Sequence, residues 1–505
     1  MPSLIDIAAR DPEGLALDDG ARTRTWAELS DRTNRLARLM REDLGVPAHG
    51  HVAMLMRNRV EGVEVVHAAL LAGLWITPIN SHLARDEIAV IVEDSGAELV
   101  FSDEHLAETA REAGASNLLE AGPALDAALA SASDAPMPLD GPAGGPMIYT
   151  SGTTGRPKGV KRQRAATLES GIRAGAAAGS SIGLDGSGPH LVTGPLYHAA
   201  PLMFAVYDQL NGAPIVIMPR WNDAEALAQI QAREIRHTHL VPTMFVRLLR
   251  LPDEVRDAFD APHLDLVLHG AAPVATHVKR RMIAWWGEIL VEYWGATEGG
   301  VTTLIDSAEW LAHPGSVGRA LPHFEVFAVD DDGEPLPPGT VGQLYSRNLR
   351  PGTPFEYHRD PEKTAAAYID DRVFTIGDIG FVDEEGFVTL ADRKSHTIIS
   401  GGVNIYPAEI EQVLLEHPAV SDVGVFGVPD DEWGESVKAA IEVAAGFDAS
   451  PALAREILDF AREKLAGYKV PRSIDFEREL PRKPTGKLLV RELRDRYWKG
   501  RERRI

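Results

Sequence analysis

Between Tyr149 and Val160 the chain reads Tyr149-Thr150-Ser151-Gly152-Thr153-Thr154-Gly155-Arg156-Pro157-Lys158-Gly159-Val160. Hydroxyls, glycines and two cations in so short a span are groups suited to holding phosphate oxygens. Glycine lets backbone N–H groups come close where a Cβ would stand in the way, the hydroxyls add donors, and Arg156 and Lys158 add positive charge. Apolar Met147 and Ile148 lead in and Val160 follows, so the stretch reads as strand, turn and strand. The spacing is not that of the G-x-x-x-x-G-K-[ST] loop, and Pro157 bars the helix that such a loop opens. A hydroxyl-rich surface hairpin is the plain alternative.

Other runs carry chemistry of the same kind. In Tyr293-Trp294-Gly295-Ala296-Thr297-Glu298 an aromatic face can stack on a base, a Gly–Ala backbone can reach its edge, a hydroxyl can touch phosphate and a carboxylate can hold Mg²⁺. Asp378, among Gly377 and Gly380, can accept from both hydroxyls of a ribose, although aspartate beside glycine is more often a turn former. Lys487, in Pro481-Arg482-Lys483-Pro484-Thr485-Gly486-Lys487, is presented rigidly between proline and glycine. His198 interrupts two apolar stretches, where a lone histidine is ordinarily structural. The small residues Gly270, Ala271 and Ala272 end a strand, where close packing of loop on sheet explains them equally well.

Taken together these runs resemble the signatures of adenylate-forming enzymes, the superfamily of acyl-CoA synthetases, adenylation domains and beetle luciferases, and most of all a fatty-acyl-CoA ligase. The resemblance implies ATP, Mg²⁺ and coenzyme A as cofactor and co-substrates. It assigns Thr150, Ser151, Gly152, Thr153, Thr154, Gly155 and Lys158 to the phosphates, and Gly270, Ala271 and Ala272 to the side of the adenine and acyl group. Trp294 becomes the stacking ring, where many relatives carry Tyr, with Gly295 and Ala296 at the base edge, Thr297 on phosphate and Glu298 on the metal. Asp378 and Arg393 reach the ribose, His198 gates or positions the carboxylate, Gly401 and Gly402 pass the pantetheine arm, and Lys487 is the catalytic lysine. At the pivot two places beyond Arg393, relatives carry Asp or Lys and this chain has Ser395.

The chemistry implied is attack of a carboxylate on the α-phosphate of ATP, followed by transfer of the acyl group to a thiol. The chain has no cysteine, so the ligand must bring the thiol. A neutral acid, medium-chain, long-chain or bulky and hydrophobic, is expected, because Pro195–Phe204 contains no acidic partner for a substrate amine. Leu202, Met203, Phe204, Met244, Phe245, Ala272 and Gly299 are the expected acyl lining, though core residues have the same composition. The rivals are an amino- or aryl-acid adenylating enzyme with another acceptor, a luciferase-like oxidase, and a nucleotide-binding regulator without catalysis.

These groups need elements to hold them. With 505 residues the chain exceeds one compact core, and 44% hydrophobic with 25% charged content is ordinary for globular protein. Strand and helix alternate: a capping box at Thr25–Glu28, a strand at 52–56, a helix from Val63 to Leu70, and a helix from Arg85 to Ser95 stopped by Gly96. The expected fold class is α/β, a large N-terminal part of parallel αβ layers with a small β subdomain, followed by a smaller mobile α+β domain. The expected domains are 1–392 and 393–505, divided at the polar run Asp392–His396. Residues 121–146, rich in Ala, Pro, Asp, Ser and Gly, read as a surface connection. A net charge of −23 argues against nucleic acid or an anionic membrane as partner. The N-terminus lacks a signal pattern and the most apolar window, 67–84, is broken by polar residues, so a cytoplasmic protein without an integral membrane segment is expected, with a homodimer left open.

Overall fold

The computed structural model describes residues 3–151, 157–330, 332–393, 396–400, 403–430, 433–482, 486 and 488–499, with the backbone alone at Ser151, Asp392, Arg393 and Asn404. Among the described residues the strands form three sheets. The first has a parallel run in which His51–Leu55 lies between Trp75–Pro78 and Leu99–Ser102, with Gly145–Ser151 beyond Trp75–Pro78. The chain then doubles back through Pro157–Arg162, antiparallel, and Phe355–Tyr357 from far along the sequence adds the outer strand.

The largest sheet is likewise parallel through Leu15–Asp18, Ile215–Ile217, His190–Val192, His237–Leu240, Leu266–His269 and Leu290–Ala296. At Leu290–Ala296 it changes sense: Gly300–Ile305 pairs antiparallel, and so do Ser316–Ala320, Phe387–Arg393, Asp378–Val382 and Gly342–Asn348 after it. A parallel strand needs a crossover and an antiparallel one only a turn, so this is where αβ layering gives way to a compact β region. The parallel strands are buried along their lengths, as expected of a sheet covered by helices on both faces.

Local signals explain the helices. Thr25 accepts from the Glu28 N–H and Glu28 returns the bond, opening Trp26–Arg38, and Arg85–Ser95 ends on Gly96 in the left-handed conformation at φ 64°. The span expected as a plain connection, 121–146, contains a helix, Pro123–Ser131. Proline is compatible with a first helical turn, and Leu125 and Leu129, four apart, both face the core. No helix among the described residues is long and apolar enough to cross a membrane.

The third sheet, built on the long pair Val420–Asp430 and Gly434–Val443 with Ile398–Ser400, Val403–Ile405 and Ser473–Glu477, has its own apolar cluster with the helices Pro407–Leu415 and Pro451–Lys464. This C-terminal module meets the rest of the chain where Arg250 donates to the Ser421 carbonyl at 2.8 Å, and where Leu415 packs against the apolar cluster of Phe245, Leu248 and Met282. The α/β class with a large N-terminal part and a smaller C-terminal domain is as the sequence led us to expect.

Candidate active site

Thr150 lies opposite Lys158 and Ser151 opposite Pro157, so the first signature is a hairpin, as its sequence required. Gly152, Thr153, Thr154, Gly155 and Arg156 lie outside the described residues. The Lys158 ammonium is ion-paired with Asp360, which also caps the helix Pro361–Ala366 by accepting from the Lys363 N–H at 3.0 Å. Next to Asp360, Tyr357 sits on the outer strand opposite Val160 and donates its hydroxyl to Glu298 Oε1 at 3.0 Å. The phosphate hairpin and the Trp294–Glu298 run therefore share one wall.

That wall has a defined charge state. Burial, with the Glu298 charge second, pushes the Tyr357 hydroxyl well above its ordinary pKa, so it remains a donor. The Lys363 ammonium lies 4.1 Å over the Tyr357 ring, its pKa lowered by burial and then by Lys158. The sequence does not single out Tyr357, Asp360 and Lys363, because they fall on a three-residue strand, a helix cap and a short helix without a distinctive spacing.

The second signature turns on close backbone approach. A Cβ at Gly295 would lie 2.0 Å from the Gly300 carbonyl oxygen, so only glycine permits the tight return that sets Thr297 and Glu298, both half-buried, at the tip. Ala296 is half-buried beside them. Trp294 Nε1–H donates to Asp378 Oδ2 at 2.7 Å, and the two residues are only 6% and 5% exposed. Asp378 opens its strand directly after Gly377, which has φ +85°, and stands opposite Arg393 in the neighbouring strand.

Gly270 follows the strand Leu266–His269, and a Cβ there would meet the Tyr293 carbonyl oxygen at 2.6 Å. Ala271 adopts φ +67°, a left-handed conformation that costs a non-glycine residue roughly 1 kcal/mol, and is exposed, while Ala272 is half-buried. His198 stands half-buried at the N-terminal boundary of the helix Ala199–Asn211, without a side-chain capping bond, its ring 4.5 Å from that of Tyr197, whose hydroxyl is pushed up to about 12 by burial.

The expected acyl lining needs correction. Leu202 and Phe245 are fully buried in two separate apolar clusters, and the space at Gly299 is filled by the Phe374 ring, 2.7 Å from where a Cβ would stand. Leu202 and Phe245 belong to the core, which composition alone could not separate from a pocket. Phe204 is likewise buried, in a third apolar cluster with Tyr293, and presents its edge to His239 and Tyr293 at 5.4 and 5.3 Å; His239 Nε2 lies 3.0 Å from the Tyr293 hydroxyl. Burial holds the His239 pKa at about 3, so the ring is neutral, and raises that of Tyr293. This aromatic group adjoins Gly270 through Tyr293.

Lys487, Gly401, Gly402 and Ser395 lie outside the described residues, as does the Arg393 side chain. Of the stretch that leads to position 487, Arg482 and Gly486 are described. Arg482 grips Asp422 through Nε and Nη2 at 2.6 and 2.7 Å and donates to the Gly486 carbonyl at 2.7 Å. Gly486 is buried, has φ +79°, and approaches Thr243 so closely that a Cβ would be 2.6 Å from Oγ1. On the same module Trp433 is 43% exposed, with the Arg472 guanidinium 5.7 Å over its ring.

Known proteins bear on this geometry. The family model of AMP-binding enzymes matches residues 5–350, and that of the AMP-binding enzyme C-terminal domain matches 409–487. A feruloyl-CoA synthase of Amycolatopsis sp is 35% identical over 97% of each chain, and a 2-succinylbenzoate–CoA ligase of Geobacillus kaustophilus is 34% identical over 96% of this chain and 95% of its own. The long-chain-fatty-acid–CoA ligase FadD13 of Mycobacterium tuberculosis is 31% identical over 94% of this chain and 93% of its own. Among solved structures, ATP-bound MatB from Rhodopseudomonas palustris superposes with a TM-score of 0.84 at 28% identity, covering 97% of this chain and 98% of that one. A full-length match in sequence and fold, with both family models in chain order, leaves one assignment: the chain belongs to the AMP-binding enzymes, the adenylate-forming superfamily, and is an AMP-forming acid–thiol ligase.

Proposed function

We propose that this ligase joins a bulky, hydrophobic, ring-bearing organic acid to AMP from ATP, releasing pyrophosphate, and then passes the acyl group to the thiol of coenzyme A. The observation that carries the reading is the shared wall: Lys158, Glu298 and Asp378, from three distant stretches, are held by Asp360, Tyr357 and Trp294 respectively, and Trp294 and Glu298 belong to one short run. Lys158 with the hydroxyls of the 150–154 stretch would hold the leaving pyrophosphate, Asp378 and Arg393 the ribose, and the face of Trp294 the adenine. Glu298 is a half-buried carboxylate with one oxygen already taking a hydroxyl, and a hard oxygen donor of this kind suits Mg²⁺ shared with phosphate oxygens. When bound, that ion would neutralise charge on the phosphates.

Two anions meet when a carboxylate attacks the α-phosphate, so the barrier is repulsion and misorientation. Lys487 would quench the charge that develops between them. We assign 1–392 to nucleotide and acid and 393–505 to a module that turns about the 394–395 region, exchanging Lys487 for the 401–406 loop between the two steps. The exposed Trp433, with Arg472 over its ring and paired to Asp430 at 3.1 Å, would give that module a flat aromatic face for the nucleotide end of coenzyme A.

The ring-bearing acid is favoured by the aromatic group of Phe204, His239 and Tyr293 beside Gly270, where edge-to-face contact rewards a flat substrate more than a flexible chain. Relatives named for feruloyl and succinylbenzoyl substrates agree with it; the relative named for long-chain fatty acids supports the second reading, a medium or long alkyl acid. Pyrophosphate release with ATP and a panel of aryl and straight-chain acids decides between them. Aryl acids are expected to lead, and a rate that climbs steadily with alkyl length would reverse the assignment. Lys487→Ala is expected to lose roughly 10²-fold in adenylate formation, with far less loss in thioester formation from supplied acyl-adenylate; equal losses would remove Lys487 from its role.

A further inference from the structure

We infer that the cations gathered around Trp75, on the face of the first sheet turned away from Lys158, form a second anion site, one that takes a phosphate group. Lys161 lies three places along its strand from Lys158, so the pleat sends the two side chains to opposite faces. The Lys161 ammonium stands 5.1 Å and the Arg164 guanidinium 4.1 Å from the centre of the Trp75 ring, and the His51 ring stacks on the same indole at 6.2 Å. Gly145 makes the space for this arrangement: a Cβ there would lie 2.8 Å from Arg164 Cδ and 3.1 Å from Trp75 Cζ3. Arg359, exposed and in the left-handed conformation at φ 54°, brings a third full charge to the group from beyond the strand Phe355–Tyr357.

The charges here lack their usual answer. Among the described residues Lys161, Arg164 and Arg359 make no ion pair with a carboxylate. The acids that act on Lys161 are Glu356 and Asp94, and Asp94 already takes the Tyr149 hydroxyl proton. Arg164 gives one bond, to His49 Nδ1 at 2.8 Å, and its Nη1 is covered without a partner, as is His51 Nδ1. Burial first, then Lys161, His358, Arg359 and Arg164, hold the His51 pKa at about 3, and burial lowers that of Lys161 too. Like charges crowded into a poorly solvated groove cost free energy that a bound anion would return. In a chain of net charge −23 such crowding is no background feature, and that same net charge disfavours a polyanionic partner and leaves a small one. Lys161, half-buried, and Arg359, exposed, are open to a ligand's oxygens, with Arg164 behind them. A phosphate group, with three or four free oxygens, answers donors from several directions more fully than a planar carboxylate with two.

The test is calorimetric titration of the full chain with inorganic phosphate, pyrophosphate and glycerol 3-phosphate in about 0.15 M chloride, where diffuse surface attraction is largely screened. The wild type is expected to bind at least one of them. Lys161→Gln and Arg359→Gln should each weaken that binding roughly tenfold or more, the scale of losing one charged hydrogen bond, while KM for ATP stays within about twofold. Tighter binding of the inorganic ions would make the ligand a free phosphate, and tighter binding of the ester a phosphorylated metabolite; either result supports the site. No binding at this salt would leave a solvated basic patch and overturn the inference. Binding that both variants leave unchanged would belong to the 150–158 hairpin and overturn it equally. Lys161→Gln removes one of the crowded charges, so without phosphate it should melt no lower than the wild type. A lower melting temperature would mean that these cations hold the sheet face together, and would count against a ligand site.

Discussion

At Glu298 one hydroxyl proton sets the direction of a carboxylate. Tyr357 gives that proton from a buried ring, and without it the carboxylate turns on its own side-chain torsions. Outer partners of metal-binding groups matter because they orient the oxygen that meets the ion, and their loss commonly costs 10- to 100-fold in metal affinity or activity. Tyr357→Phe should therefore raise the Mg²⁺ concentration for half-maximal adenylate formation roughly tenfold while thermal stability changes little; an unchanged Mg²⁺ titration would mean the bond only packs the wall. The sequence made Glu298 legible because Thr297 and Glu298 follow an aromatic, a glycine and an alanine in a recognisable run. It left Tyr357, Asp360 and Lys363 unread, since each acquires meaning only when Phe355–Tyr357 pairs with the strand that carries Lys158.

Along the helix Ala199–Asn211, His198 precedes the first turn, Leu202 points into the core, and Phe204 reaches the aromatic group. Leu202→Ala should then destabilise the chain by about 2–5 kcal/mol, the range for a large side chain removed from a closed core. Relative rates across a panel of acids should stay the same; a shift toward longer acids would return Leu202 to the pocket. Elements of this kind were readable where period and cap agreed, as at Trp26–Arg38 and Arg85–Ser95. Pro123–Ser131 was hidden by an alanine-rich composition without long apolar runs, and the acyl lining by the fact that cavity and core draw on the same residues. Leu202 and Phe204 lie on one helix and Phe245 on another, so which of them meets which cluster depends on how each helix face packs, and sequence composition does not announce that.

Across the whole molecule, three buried histidines tie stability to acidity. Burial holds His67 at about 4 and His239 at about 3, and His269 well below its ordinary value. The unfolded chain binds protons at all three below about pH 6.5, and the folded chain does so only at lower pH, so stability rises with pH across that interval. The melting temperature should be level above pH 7 and fall steadily from about 6.5 toward 4; a flat profile between 7 and 5 would contradict it. The junction of body and module gives a second prediction at this scale. Gly486→Ala drives a methyl group into Thr243 and strains a residue at φ +79°, so adenylate formation should fall at least tenfold while thioester formation from supplied acyl-adenylate changes far less. Equal losses would count against a Gly486–Thr243 contact specific to the first step.

The hydrogen bond from Arg250 to the Ser421 carbonyl lies at the surface, and a bond of that type is worth about 1 kcal/mol, a bias of roughly fivefold between having it and not. On the proposed turn of the C-terminal module, truncating Arg250 would remove one of its several contacts with the body, leaving every atom proposed to touch substrate where it was.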